Sequence, residues 1–279
     1  MTLRSVGSAL LLCLVAMPAA AQTPTSQAPV PASDLVAPPS WAYIAIACAP
    51  SLAIVKPGEK PVTPALRVIG AQNSANRDLM GPGDTLVVSG GSNAGMEVGQ
   101  RYFVRRQTMT LGAPIEVPKT IHTAGWIQVL GVDTMVATAT LVQACGDGAL
   151  LDDYLEPFVA PMIAARPMAG TTPHVENMGR IMTGTEGTTT GATGQVMTID
   201  LGSNSGIALG QRFLVFRDKR KDRVEVTGRS QVFAESLGKQ PLLQVGEVLV
   251  VSVRPDDASV QIVASTDAIS TGDLVAPLR

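Results

Sequence analysis

Gly91-Ser92-Asn93-Ala94-Gly95-Met96-Glu97-Val98-Gly99-Gln100-Arg101 recurs later in the chain as Gly202-Ser203-Asn204-Ser205-Gly206-Ile207-Ala208-Leu209-Gly210-Gln211-Arg212. Seven of the eleven positions are identical, and Met96/Ile207 and Val98/Leu209 are conservative pairs. Each copy runs on into an apolar-rich segment, Tyr102-Phe103-Val104-Arg105-Arg106 and Phe213-Leu214-Val215-Phe216-Arg217. Gly95, Gly99, Gly206 and Gly210 read as structural turn positions, where positive φ is open to glycine and resisted by other residues. Met96 and Val98, like Ile207 and Leu209, are expected to point inward and plug the end of a small barrel.

The likeness extends outward from this element in one order. Upstream, Arg67-Val68-Ile69-Gly70 parallels Arg180-Ile181-Met182-Thr183-Gly184, and Gly83-Asp84-Thr85-Leu86-Val87-Val88 parallels Gly194-Gln195-Val196-Met197-Thr198-Ile199. Downstream, Ala124-Gly125-Trp126-Ile127-Gln128-Val129 parallels Val245-Gly246-Glu247-Val248-Leu249-Val250, and Asp153-Tyr154-Leu155-Glu156-Pro157 parallels Asp273-Leu274-Val275-Ala276-Pro277. Similarity held in register along both segments reports an internal duplication.

Within a copy the signals are those of strands. Val248–Val253 and Val260–Val263 flank Arg254-Pro255-Asp256-Asp257-Ala258, where Pro presets φ and the Asp side chains bond the turn backbone. In the first copy Trp126–Val132 and Met135–Val142 flank Asp133-Thr134. No stretch carries a long 3.6-residue stripe. The predicted class is therefore all-β: two tandem small β-barrel-like domains, at 41–158 and 179–279. Trp41–Cys48 is expected to add a strand to the first, and the Pro-bearing joint 159–178 to resist regular structure.

The pattern Gly-Ser-Asn-Ser-Gly-Ile-x-x-Gly-Gln-Arg-Phe, followed by Val-Gly-Glu-Val-x-Val and Ile-Ser-Thr-Gly-Asp-Leu-Val, resembles the C-terminal domain of flagellar assembly protein T. It is also similar to β-modules that accompany LysM peptidoglycan-binding domains in exported bacterial proteins. The resemblance covers 179–279 closely and 66–158 more loosely. It implies a β-barrel fold and a place in an envelope assembly or beside peptidoglycan.

The N-terminus reads as a signal peptide over 1–21. Arg4 supplies the positive region, Ala9–Met17 the apolar core, and Ala19-Ala20-Ala21 the small-residue cleavage pattern. That core is shorter than the roughly 20 residues a membrane span needs. Residues 22–40, rich in Pro, Ala, Ser and Thr, read as a disordered linker. The expected location is therefore periplasmic or secreted, with no transmembrane segment after cleavage. Cys48 and Cys145 remain, an even pair expected to form one disulfide in an oxidising compartment, with two buried thiols as the alternative.

The formal net charge of −2 argues against nucleic acid as a partner. Catalytic constellations are sparse. His122 and His174 are the only two histidines, and no Cys-x-x-Cys or His-x-x-x-His spacing suggests a metal. Ser236-Leu237-Gly238-Lys239 has the Ser-x-x-Lys form without the accompanying motifs of penicillin-binding enzymes. The Gly- and Thr-rich stretch Gly184–Gly191 lacks the ending of a phosphate loop. Asp152-Asp153 and Asp256-Asp257 are adjacent carboxylates, which an extended chain points to opposite faces, so turn chemistry accounts for them. The densest charge run, Arg217-Asp218-Lys219-Arg220-Lys221-Asp222-Arg223, reads as a hairpin tip. There Arg217, Lys219, Arg220, Lys221 and Arg223 are candidates for contact with an anionic polymer. The expected function is a non-catalytic, cofactor-free structural or interaction protein of the bacterial envelope, with envelope proteins as partners. Binding to peptidoglycan or another envelope polysaccharide is the alternative, and an envelope hydrolase a distant third.

Overall fold

The computed structural model describes residues 30–54, 64–72, 78–109, 111–218 and 242–279. The leader expected at 1–21 therefore lies outside the described residues, as do 22–29 of the linker. Ahead of the first copy come β1 (Leu35–Val36), helix α1 (Ser40–Ala47) and β2 (Ser51–Leu52). The first copy follows as β3 (Val68–Ala71), β4 (Leu79–Met80), β5 (Thr85–Ser89), β6 (Arg101–Thr108), β7 (Thr120–Val132), β8 (Val136–Ala144), β9 (Ala149–Leu150) and β10 (Tyr154–Pro157). After β11 (Ile163–Ala164) comes the second copy. Its strands are β12 (Gly179–Gly184), β13 (Thr190–Gly191), β14 (Val196–Ile199), β15 (Arg212–Asp218), β16 (Leu242–Val253), β17 (Ala258–Ser265), β18 (Ile269–Ser270) and β19 (Leu274–Pro277).

The second copy is a closed barrel in the order β12-β14-β17-β16-β15-β19. The first copy repeats that order as β3-β5-β8-β7-β6-β10. Its two ends meet through an antiparallel bridge between Arg67 and Tyr154. There Val68 N–H donates to the Asp153 carbonyl at 2.8 Å, and Leu155 N–H to that of Leu66 at 2.9 Å. Even the accessory ribbons correspond, β4 with β9 and β13 with β18. The fold is all-β, and the duplication read from the sequence is a duplication of topology.

Alternation along the strands fills each barrel. Leu86 and Val88 of β5 and Ala137, Ala139 and Leu141 of β8 point into the first core. Met197 and Ile199 of β14 and Val260 and Ile262 of β17 take the same places in the second. The repeated element closes one end of each. Ser92–Ala94 and Ser203–Ser205 form 3-10 turns that end on Gly95 and Gly206 in the left-handed region, at φ 74° and 76°. Gly99 and Gly210 follow at φ 88° and 78°. Ser92 N–H donates to the Asp133 carbonyl at 2.8 Å and Ser203 N–H to that of Arg254 at 2.9 Å, tying the turn to the adjoining hairpin.

One detail of that plug differs from expectation. Met96 and Ile207 are buried, but Val98 is 66% exposed and Leu209 only half-buried. The reason lies in Gln100 and Gln211, whose Oε1 atoms accept the N–H of Glu97 at 2.9 Å and of Ala208 at 3.3 Å. These bonds curl the chain across the barrel mouth, so one apolar residue per turn reaches the core and the next faces out.

The segment Trp41–Cys48 is not a strand. Ser40–Ala47 is helix α1, which begins after Pro39, whose carbonyl accepts the Ala42 and Tyr43 N–H groups at 2.9 and 3.0 Å. Nor are the two Pro-rich stretches unstructured throughout. Leu35–Val36, near the end of the expected linker, pairs with Ile163–Ala164 in the joint. The joint is further held where Met168 N–H donates to the Gly210 carbonyl and His174 N–H to that of Pro277, at 2.8 and 2.9 Å. These ribbons satisfy backbone groups that would otherwise face water or the barrel wall unpaired.

Gly202 and Gly206 do different work. Gly206 needs φ 76°, and no atom crowds the place where a Cβ would stand, so Gly206→Ala should cost about 1 kcal/mol of left-handed strain. At Gly202 a Cβ would strike the backbone of Arg254, Pro255 and Asp257, so Gly202→Ala should cost about 3 kcal/mol through a displaced hairpin. Urea unfolding of the two variants measures the difference, and equal losses would contradict it.

Candidate functional site

Helix α1 lies between the barrels and packs an apolar side on each, while Trp41 and Ile44 stand exposed. On one side Ala47 and Cys48 pack with Phe103, Trp126 and Cys145 of the first barrel. Tyr43 meets Trp126 edge-on at 6.3 Å, and Phe158 stacks near Phe103 and Trp126 at 4.6 and 5.5 Å. Cys48, the residue that caps the helix, is disulfide-bonded to Cys145, just past β8, with Cα atoms 5.6 Å apart. On the other side Ala42, Ile46 and Ala49 pack on Val196 and Val251 of the second barrel.

The chain leaving α1 is stitched to both barrels. Ser51 and Leu52 form β2 and pair with Ile121 and Thr120 at the edge of β7. The Pro50 carbonyl accepts the Thr198 hydroxyl at 3.0 Å, and Leu52 N–H donates to Asp257 Oδ2 at 3.1 Å. Asp257, one of the adjacent carboxylates noted in the sequence, thus serves the seam between domains as well as its own turn.

Beside α1 the barrels leave a cleft of about 920 Å³, roofed by Val159–Met162 of the joint. Its walls include Ile46 of the helix, Phe103 of the first barrel, and Ile207, Leu209 and Val251 of the second. Two guanidinium groups, Arg105 and Arg254, stand between this cleft and a smaller hollow of about 240 Å³ beyond them. Arg105 Nε lies 2.7 Å from Glu156, Nη1 donates to Thr123 Oγ1 at 2.9 Å, and the group sits 4.5 Å over the Phe103 ring. Burial pushes its pKa down, the Glu156 charge draws it back up, and Arg254 adds repulsion. Arg254 grips Asp257 through Nε at 2.9 Å and Nη2 at 2.6 Å, and Nη2 also donates to Ser259 and Pro50. Both cations are answered by carboxylates, which buried charges require.

A second feature recurs in both barrels and was not read from the sequence. At the end of β6, Arg106 Nε faces Asp153 at 3.1 Å and Nη1 reaches Asp147 at 3.2 Å, while Nη2 donates to the Gly148 carbonyl. At the end of β15, Arg217 reaches Asp273 at 2.9 Å and Asp267 at 2.6 Å, and donates to the Ala268 carbonyl. Asp153 and Asp273 each also accept a backbone N–H, from Leu150 and Ser270, both at 2.8 Å. The same arginine staple pins the last loop of each barrel. The clue lay in the paired copies, where Arg106 and Asp153 align with Arg217 and Asp273.

This staple revises the reading of Arg217. Its side chain is 14% exposed and engaged on its own barrel, so it belongs to the body of the domain, not to a charged tip. Lys219, Arg220, Lys221 and Arg223 lie outside the described residues, as do Ser236–Lys239. His122 is buried 3.6 Å from Asp147, and burial together with the Arg106 charge holds it below the usual imidazole range. His174 stands apart in the joint, 3.6 Å from Glu176. In Gly184–Gly191, Thr185–Gly187 is a 3-10 turn with Glu186 at φ 58°, and the Glu186 side chain reaches Gly146 of the first barrel. Among the described residues no three His, Cys, Asp or Glu side chains gather as a metal site, and no helix is long and apolar enough to cross a membrane.

The chain matches no protein-family model, and no curated protein is significantly similar to it.

Asp153 carries a testable electrostatic signature. Burial raises its pKa to about 6, against the opposing pull of the Leu150 N–H and Arg106. A carboxyl raised in the folded state contributes most stability below its unfolded value of about 3.9, and loses it as pH rises through about 6. The Asp153 carboxyl ¹³C resonance should titrate near 6, and higher still in Arg106→Gln, where the neighbouring positive charge is gone. Titration at about 3.9 would contradict this.

Proposed function

We propose that this protein is a non-catalytic structural and interaction protein exported to the bacterial cell envelope, and that an envelope protein docks in the cleft between its barrels. The observation that carries the reading is the state of the two arginines in that cleft. Arg105 and Arg254 are neutralised by Glu156 and Asp257 and serve the seam. What the cleft offers a ligand is shape and apolar area from Phe103, Ile207, Leu209 and Val251, the composition of a protein-binding pocket.

Two further observations support it. A disulfide suits an oxidising compartment, in agreement with the leader expected at 1–21. The resemblance of the repeated element to the C-terminal domain of flagellar assembly protein T agrees with a role in an envelope assembly. The polysaccharide alternative needs a row of exposed aromatic platforms in a groove, whereas Phe103, the one aromatic side chain among the residues that line the cleft, is buried and stacked on Phe158.

The test pairs two retention measurements on the oxidised mature chain. Immobilised protein should retain a discrete envelope protein from detergent extract, and Leu209→Lys, which places a charge in the cleft, should lose it without a change in melting temperature. Purified sacculi should not sediment the protein. Sedimentation with sacculi, or retention unaffected by Leu209→Lys, would overturn the reading.

A further inference from the structure

The duplication supplies its own comparison. In the second barrel the outer face of β14, β17 and β16 is not free: Val196, Thr198, Ser259, Gln261 and Val251 are buried there. What covers that face is α1 and the residues after it, with Ala42, Ile46 and Ala49 on Val196 and Val251, and Pro50 on Thr198. The register is the same in the first barrel. Val196 pairs with Gln261 and Thr198 with Ser259, just as Thr85 pairs with Thr140 and Val87 with Thr138. Leu249 pairs with Gln261, and Gln128 with Thr140.

The corresponding face of the first barrel is therefore Thr85, Val87, Thr138, Thr140 and Leu130, with Val98 of the repeated turn at its edge. It carries no charged side chain. Leu130 is 53% exposed and Val98 66%, where their counterparts Val251 and Leu209 are buried and half-buried. The four Thr and Val residues are partly accessible, where their counterparts are buried.

We infer that the outer face of β5, β8 and β7 is a docking surface for a partner protein's short uncharged helix, presenting small apolar residues one turn apart as α1 does. The rim refines that chemistry. Arg254, which donates to Pro50 beyond α1, has Asp133 as its counterpart, and Ala208 has Glu97. Both acids are exposed, so the partner segment carries a Lys or Arg just past its helix. Helix-in-groove binding of this kind is read through anchors three and four residues apart, the spacing of Ala42, Ile46 and Ala49. This surface is distinct from the cleft and does not depend on it.

The probe is a synthetic peptide with the sequence Pro39–Leu52 carrying Cys48→Ser and Pro50→Lys. It would be titrated into the oxidised mature chain with methyl-labelled Leu, Val and Ile. Saturable shifts should appear at Leu130, Val87 and Val98. Leu130→Asp should weaken binding at least about tenfold, the loss expected for one buried Leu contact, and Asp133→Asn about threefold, as expected for an exposed ion pair. Leu130 is largely exposed, so its replacement should leave the melting temperature unchanged, and Thr138→Arg provides an independent block of the same face. Shifts confined to Val196 and Val251 would mean exchange with the chain's own helix and would overturn the inference. So would the absence of saturable shifts at Leu130 and Val87, or a concentration-dependent dimer abolished by Leu130→Asp, which would make a second copy the occupant.

Discussion

Everything between the barrels depends on an eight-residue helix that could not stand alone. An isolated helix of this length is unstable in water, because the first turn fixes several residues for a single hydrogen bond. Ser40–Ala47 forms because two surfaces receive it, aromatic on the first barrel and aliphatic on the second. The disulfide at its C-terminal end then limits where it can go. Cys48 and Cys145 are separated by 97 residues of sequence, and closing so long a loop is worth about 4–5 kcal/mol in the chain-entropy account. The loop it closes contains all but the last strands of the first barrel, so helix position and barrel integrity are coupled.

The two copies have kept what makes a barrel and diverged in what they show. The Gln that curls the turn, the Gly that admits the hairpin, and the Arg–Asp staple recur as Gln100/Gln211, Gly91/Gly202 and Arg106/Arg217 with Asp153/Asp273. The outer faces have parted. Phe103 and Trp126 cover α1, while their counterparts Leu214 and Glu247 do not, and Glu247 pairs with Arg212 at 2.5 Å. Val196 and Val251 cover the other side of α1, while their counterparts are Thr85 and Leu130. One helix thus engages each module through a different face, which two identical modules could not provide without a symmetric second helix.

That asymmetry accounts for what was legible in the sequence. Strand positions were readable because each barrel has one inward face, so Leu86, Val88, Met197 and Ile199 alternate with their neighbours. The repeated turn was readable because positive φ restricts Gly95 and Gly206 to glycine. Helix α1 was not, since periodicity reports a helix only when its water-facing side is polar, and here that side carries Trp41 and Ile44, so Trp41–Ala47 is apolar throughout. The outward turn of Val98 was hidden because a Gln side chain sets it, not the hydrophobicity of the residue. The Arg106 staple joins residues 47 positions apart, from Arg106 to Asp153, beyond any local pattern. The charge run at Arg217 misled for a related reason, since proximity in sequence to Lys219–Arg223 says nothing about where a guanidinium finds its carboxylate.

The cleft follows from the same geometry. Two convex barrels held apart by a helix leave a wedge of space on either side of it, and the walls of that wedge are already populated by seam residues. Arg105 and Arg254 sit there answered by the carboxylates of Glu156 and Asp257, and an unpaired Asp257, which is shielded from water, would be costly. Removing Arg254 would leave the buried Asp257 carboxylate with the Leu52 N–H as its remaining donor among the described contacts. The seam, not the cleft, would be the first thing to fail. The cleft walls therefore set guanidinium charges that are already committed to carboxylates beside the apolar side chains of Phe103, Ile207, Leu209 and Val251.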